Sequence, residues 1–268
     1  MLNGLYGIEY NPFEPHATSP DKSFKSNDFN QMVSRLNFIK DSRGVGVFTA
    51  PPGYGKTFAL RCFADSLNPN LFQMAYICLT TVSVTEFYRQ FCYALNIEPS
   101  AQRSAMFKAI QERVLLLFKE KRRPFIIAID EAHDMDPRAL RDIKMLMNHA
   151  FDSFYCFTLL LIGEPHLNSI LTKPVHEALF QRITIHYNFT GLSADETNEY
   201  IRHKLSVAGG CASIIADGVT RAVYGLSRGN PRLIDNIMSD ALTLGYQLNK
   251  PLIDDELILA AAENQSFQ

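Results

Sequence analysis

Residues Ala50-Pro51-Pro52-Gly53-Tyr54-Gly55-Lys56-Thr57 bring two glycines, a lysine and a hydroxyl together in an order suited to holding phosphate. They fit the pattern G-x-x-x-x-G-K-[ST] except that Ala50 stands at the first glycine, a position that only closes the turn after a strand. Gly53 and Gly55 have no Cβ, so the backbone there can wrap an anion with its N–H groups. The helix opening at Lys56 adds the partial positive charge of its N-terminus. Lys56 is expected to reach the β- and γ-phosphates of ATP, and the Thr57 hydroxyl to hold Mg²⁺. Pro52, Gly53, Tyr54, Gly55, Lys56, Thr57 and Phe58 are therefore the candidate nucleotide-binding run.

The second chemical element is Phe125-Ile126-Ile127-Ala128-Ile129-Asp130-Glu131, an apolar strand delivering two carboxylates at its end. This is the Walker B form: Asp130 would meet the Mg²⁺ held by Thr57, and Glu131 would activate the attacking water as a general base. Asp130-Glu131-Ala132-His133 also spells the DEAH box of certain helicases. Those need two such domains, whereas this chain has one phosphate loop, so His133 reads as a loop or supporting residue. Glu164, at the end of the next strand, is a candidate sensor of the γ-phosphate; the alternative is a plain strand-ending turn completed by Pro165. Arg182 stands just before the last strand. It could stabilise charge on a neighbouring subunit's γ-phosphate or form a surface ion pair. Arg232 follows Pro231, a residue suited to a first helical turn, and could reach back to the same subunit's nucleotide.

These groups need a scaffold. Val45, Val47 and Phe48 form a short strand before the loop, and further strands are expected at 74–79, 125–129, 157–162 and 183–189, with helices at 28–40, 56–66, 84–95, 102–119 and 138–150 between them. The continuous apolar strands are those of a parallel sheet buried on both faces. The alternation predicts a three-layer α/β domain over residues 1–190, with a turn-rich lead-in over residues 1–30. From Leu192 the pattern is wholly helical. Ser193-Ala194-Asp195-Glu196 is a capping box, Gly209-Gly210 a stop, and further helices are expected at 213–224, after Pro231 and near Asp254. Residues 191–268 are expected to form a small helical lid domain.

Composition narrows the partners. The 268-residue chain has a net charge of −2 and 20% charged residues, so any contact with nucleic acid must come from a local patch. Lys119, Lys121, Arg122 and Arg123 are the densest basic run and read either as a solvated helix end or as a DNA contact; Arg103, Ser104 and Lys108 form a second patch. No apolar run reaches the ~18 residues needed to span a bilayer and no signal peptide is recognisable, so no membrane partner and a cytoplasmic location are expected. The five cysteines are scattered and odd in number, as befits reduced thiols, and no zinc site is expected.

Tyr10-Asn11-Pro12-Phe13, the phosphate loop, Ile129-Asp-Glu-Ala-His133, Leu161-Ile-Gly-Glu-Pro165, Phe180-Gln-Arg-Ile183, Leu192-Ser-Ala-Asp-Glu-Thr197, Tyr200-Ile-Arg-His203 and Gly229-Asn-Pro-Arg232 together resemble the AAA+ ATPases of the ExeA/TnsC/TniB group. The resemblance runs in order over nearly the whole chain. It implies a P-loop AAA+ domain with a lid, an arginine finger at Arg182, a sensor-2 arginine at Arg232, and Asn11, Pro12 and Phe13 bordering the nucleotide. That group commonly has glutamine where Glu164 stands. Within it, secretion ATPases carry further modules, whereas transposition ATPases consist of little more than ATPase and lid, and the length of this chain favours the latter as an expectation. The expected function is then an ATPase that assembles as a ring or filament on duplex DNA with ATP and recruits a transposase. A secretion-type ATPase acting on protein assembly, or a nucleotide-dependent scaffold, is the alternative.

Overall fold

The computed structural model describes residues 2–15, 19–78, 81–119, 124–149 and 154–265. Contacts divide the chain into a sheet unit (Gln31–Pro52 and Lys56–Phe189) and a helical unit (Met1–Asn30, Gly53–Gly55 and Thr190–Gln268).

The strands are β1 (Gly44–Thr49), β2 (Gln73–Ile77), β3 (Phe125–Ile129), β4 (Asn148–His149), β5 (Phe154–Tyr155), β6 (Phe157–Gly163) and β7 (Ile183–Asn188). Five of them form one sheet in the order β2-β3-β6-β1-β7, and every pairing in it is parallel. Because parallel strands are joined by helical crossovers on both faces, β1, β3 and β6 are buried along their whole length, which explains their unbroken apolar runs. Each fully enclosed Val, Leu, Ile or Phe contributes about 1.5–3 kcal/mol relative to exposure. The crossover helices lend their apolar stripes: Phe87, Tyr88 and Phe91 from Val84–Ala94, and Met106, Ile110, Val114 and Leu117 from Arg103–Lys119.

Parallel pairing also sends every carboxyl end to the same edge of the sheet. β6 lies between β1 and β3, so the chain reverses direction of winding there. That is the switch point at which open α/β sheets bind ligands.

The helical unit contains Ala194–Val207, Val219–Ser227, Pro231–Gln247 and Asp255–Gln265. Its core is Leu192, Ile201, Leu205, Val219, Val223, Ile234, Met238 and Leu242 with their neighbours. The capping box at Ser193 and Glu196 is formed in both directions. The lead-in differs from expectation. Tyr6, Ile8 and Phe13 are buried in this helical core, so contacts group residues 1–30 with the C-terminal helices, where the sequence had placed them beside the sheet. Leu2–Tyr6 is helical rather than loop. The expected 213–224 helix begins only at Val219, because Gly218 at φ +98° breaks it from the short turn Ala212–Ile214. In the sheet unit the helix Pro137–Met147 ends earlier than expected and passes into β4, which pairs with β5.

Two glycines of the helical unit illustrate how close its backbone segments run. At Gly229, φ +74°, an added Cβ would stand 2.0 Å from the Leu192 carbonyl oxygen. Gly225, in the helix Val219–Ser227, has open space around the same position. Gly229→Ala is expected to destabilise the helical unit by about 3 kcal/mol, and Gly225→Ala to stabilise it by about 0.5 kcal/mol. Chemical unfolding of the two variants beside the parent chain checks both signs.

Candidate nucleotide site

In the sheet unit, β1 ends at Thr49 and the helix Lys56–Ser66 begins immediately after the glycine loop. Lys56 is only 6% exposed. Its ammonium donates to the carbonyls of Ala50 at 2.7 Å and Pro51 at 3.2 Å, which keeps a cation at the loop. The Thr57 hydroxyl donates to Oδ2 of Asp130 at 2.7 Å. Asp130 is 3% exposed and directly follows β3. These two residues are 73 apart in sequence and come together because β1 and β3 flank β6. The structure thus brings the loop threonine and the strand-end aspartate into direct contact.

A hydroxyl and a carboxylate side by side form a hard-oxygen donor set that suits Mg²⁺, which binds through few carboxylates with phosphate and water completing its shell. Thr57 and Asp130 would hold it.

Glu131 has left-handed backbone, φ 51°, a conformation disfavoured for a side chain bearing Cβ and characteristic of strained functional turns. Its N–H donates to Asp130 Oδ1 at 3.0 Å, which draws the carboxylate and the turn together. His133 sits between the two glutamates singled out in the sequence. Its Nδ1 lies 3.5 Å from Glu131 Oε2 and accepts the Glu164 N–H at 3.3 Å, while Nε2 lies 3.9 Å from Glu164 Oε1. This leaves the ring proton on Nε2, facing the Glu164 and Asp134 carboxylates. A Cβ on Gly163 would stand 3.1 Å from Nδ1, so the glycine that ends β6 permits this approach.

Tyr76, which neither motif includes, also reaches the site: its hydroxyl donates to Asp130 Oδ2 at 2.9 Å. Desolvation of the phenol end and the adjacent Asp130 carboxylate push the Tyr76 pKa well above its ordinary value, so it is a donor throughout the physiological range. Its only sequence signal is position, an outward residue near the carboxyl end of an edge strand. Thr57, Leu60, Ala64, Phe72, Met74 and Tyr76 line a cleft of about 480 Å³ beside the loop helix.

Arg182 lies elsewhere in the same unit. It precedes Ile183, which pairs with Val45 at the start of β1, so it stands at the amino-terminal edge of the sheet, opposite Lys56. Its Nη1 donates to the Ala178 carbonyl at 2.8 Å. Arg103 is paired with Asp142 and stacked 5.4 Å from the Tyr88 ring, and Lys108 is 3.8 Å from Glu112. Ser104 and Lys119 lie on the same helix, while Lys121 and Arg122 fall outside the described residues.

In the helical unit, the loop tip touches the start of the helix Pro231–Gln247. The Arg232 N–H donates to the Gly53 carbonyl at 3.4 Å and to the capping Asn230 side chain at 3.0 Å. A Cβ on Gly53 would stand 2.6 Å from Asn230 Oδ1 and 2.7 Å from Arg232 Cβ, and one on Gly191 would stand 2.8 Å from the Tyr54 ring. Asp28, 4% exposed, accepts the N–H groups of Thr190 at 3.0 Å and Gly191 at 2.8 Å. Asn11 donates to Ser239 at 2.8 Å and turns back to accept the Phe13 N–H at 3.1 Å. Beside Phe13, Lys204 donates to Asp235 at 2.7 Å, and Asp235 also accepts the Tyr200 hydroxyl at 2.8 Å. Burial pushes the Asp235 carboxyl up, opposed by the Lys204 charge, and pushes the Tyr200 phenol up.

Residues 39–171 match the family model of the AAA domain. Over 94% of its length the chain superimposes on Cdc6p from Pyrobaculum aerophilum, with a TM-score of 0.71 and 16% identity, covering 70% of that structure. This is the P-loop AAA+ fold. ORC1 from Aeropyrum pernix, solved in complex with DNA, gives a TM-score of 0.66 at 13% identity over 94% of this chain and 68% of its own. The RuvB Holliday junction branch migration motor of Thermotoga maritima gives 0.57 at 18% identity, over 90% of this chain and 72% of its own. In sequence, 98% of the chain is 27% identical to general secretion pathway protein A of Aeromonas hydrophila. The chain spans about half of that relative's length, 48%. Family model, relative and fold together support an AAA+ ATPase. Among the described residues no helix is long and apolar enough to cross a membrane.

Replacing Lys56 by alanine removes the ammonium held at the loop carbonyls. Its expected cost in ATP binding is about 3 kcal/mol, on the order of a hundredfold in Kd. Equilibrium titration with a fluorescent ATP analogue measures it, and circular dichroism checks that the fold is kept.

Proposed function

We propose that this chain binds and hydrolyses ATP with Mg²⁺, assembles through its nucleotide sites into a ring or filament on duplex DNA, and there recruits a transposase. The hydrogen bond between Thr57 and Asp130 carries the first part, because it joins the two halves of a metal–phosphate site drawn from distant segments. When bound, Mg²⁺ would neutralise charge on the β- and γ-phosphate oxygens. Lys56 would bind those phosphates, and Thr57 and Asp130 would hold the ion. Glu131 would take a proton from the attacking water at its carboxylate, with His133 limiting its orientation and Glu164 beside the γ-phosphate as sensor. Asn11, Pro12, Phe13, Tyr54 and Arg232 would border the nucleotide.

Assembly follows from Arg182. Standing at the far edge of the sheet from its own Lys56, it is better disposed to serve a neighbouring subunit as an arginine finger. The DNA reading draws on the motif resemblance and on two neighbours of the same fold whose structures are described with DNA or as a branch migration motor. Arg103, Ser104 and Lys108, or Lys119, Lys121 and Arg122, would supply the backbone contacts, repeated around an oligomer.

A secretion-type reading has one observation in its favour: the 27% identical relative over nearly the whole chain is a general secretion pathway protein. Electron microscopy with a non-hydrolysable ATP analogue separates the two. Assemblies that require duplex DNA are expected; assembly indifferent to DNA overturns the DNA reading and favours the protein-directed one. Glu131→Gln is expected to bind ATP yet lower turnover by about 10²–10⁴-fold, holding the assembled state; normal turnover would remove Glu131 as the base. Arg182→Ala is expected to be inactive alone and to regain part of its activity when mixed with Lys56→Ala, since the mixture restores some complete sites.

A further inference from the structure

The open edge of the sheet contributes a group to the metal site that neither phosphate-site motif contains. Tyr76 of β2 pairs with Ala128 of β3, two residues before Asp130, so its hydroxyl reaches the aspartate from the edge. Asp130 Oδ2 then accepts two hydroxyl protons, from Thr57 at 2.7 Å and from Tyr76 at 2.9 Å. Oδ1 accepts the Glu131 N–H at 3.0 Å. The terminal torsion of an aspartate is intrinsically broad; three donors from three directions hold this carboxylate in one plane.

We propose that Tyr76 is a positioning residue for Mg²⁺, fixing the Asp130 carboxylate so that the Thr57 proton always has an acceptor and the Thr57 lone pair faces the ion. This rests on the Mg²⁺–ATP reading above. Thr57 has a single proton. If it points anywhere but at Asp130, the hydroxyl oxygen turns its proton rather than its lone pair toward the cation. A mobile carboxylate would leave Thr57 correctly oriented only part of the time. Outer partners of metal ligands typically change metal affinity by 10–100-fold. Tyr76 lines the cleft it shares with Thr57, and Thr57 still bonds Asp130 when the phenol hydroxyl is gone, so the effect falls at the lower end. Tyr76→Phe leaves Asp130 Oδ2 the bond from Thr57 and keeps the edge strand.

The test titrates a fluorescent ATP analogue into the parent chain, Tyr76→Phe, Tyr76→Ala and Asp130→Ala, each in excess EDTA and across a range of Mg²⁺ concentrations. Tyr76→Phe is expected to match the parent in EDTA and to need about tenfold more Mg²⁺ for the half-maximal gain in affinity. Tyr76→Ala is expected to behave alike, since the hydroxyl rather than the ring is at issue. Asp130→Ala should lose the gain. A Tyr76→Phe chain with the parent's Mg²⁺ dependence, beside an Asp130→Ala chain that has lost it, overturns the role of Tyr76 alone. Equal loss of affinity in EDTA and in Mg²⁺ would make Tyr76 a packing residue and overturn it too. A gain that survives in Asp130→Ala overturns the metal reading itself.

Discussion

The contact between the Thr57 hydroxyl and the Asp130 carboxylate depends on more of the structure than any other in the sheet unit. It requires β1 and β3 to be parallel, so that both end at one edge, and β6 to lie between them, so that a crevice opens where the winding reverses. It requires the helix after the glycine loop to start at Lys56, since one residue of slippage would carry Thr57 to another face. It also requires the strands to be buried on both sides, because an aspartate 3% exposed keeps its orientation only in a packed frame with its oxygens bonded. The core and its apolar strands are in this sense the support for one hydrogen bond.

Around that contact the side chains are arranged as a set of mutual restraints. Asp130 is held by Thr57, Tyr76 and the Glu131 N–H; His133 is set between Glu131 and Glu164, with Gly163 leaving the space it occupies. The left-handed turn at Glu131 adds a local strain tolerated because its neighbours over-determine it. The helical unit has its own restraints of the same kind. There the loop tip at Gly53 and the first turn at Arg232 are in backbone contact, and three close approaches, at Gly53, Gly191 and Gly229, depend on the absence of a Cβ. Helix start and loop tip therefore constrain each other's backbone.

Surface chemistry rather than the site separates the DNA and secretion readings. With a net charge of −2 and two of its candidate basic residues paired to carboxylates, one copy of the chain offers only a weak field to a phosphate backbone. Repetition in an oligomer would multiply it, because phosphate contacts add along a strand. Fold alone does not choose between partners.

Much of this was legible in the sequence for identifiable reasons. Glycine, lysine and threonine at fixed spacing, and an apolar run ending in two carboxylates, are local signals that carry their own chemistry, and parallel strands buried on both faces announce themselves by composition. The capping box at Ser193 and the start of the helix at Pro231 are equally local. What the sequence left open was decided by distance along the chain. That residues 1–30 join the helical core depends on where Tyr6, Ile8 and Phe13 find apolar partners some 200 positions away, and Gly218 ends a turn that periodicity alone would have continued. The place of Arg182 at the far edge of the sheet follows from the register of β7 on β1. The meeting of Tyr76 with Asp130 follows from the register of β2 on β3, and neither register has a local signature. Sequence determined which groups could bind phosphate and metal, because that chemistry resides in residue types a few positions apart. Tertiary structure alone decided which further groups hold them in place, because parallel strand pairing sets neighbours by hydrogen-bond register and not by proximity along the chain.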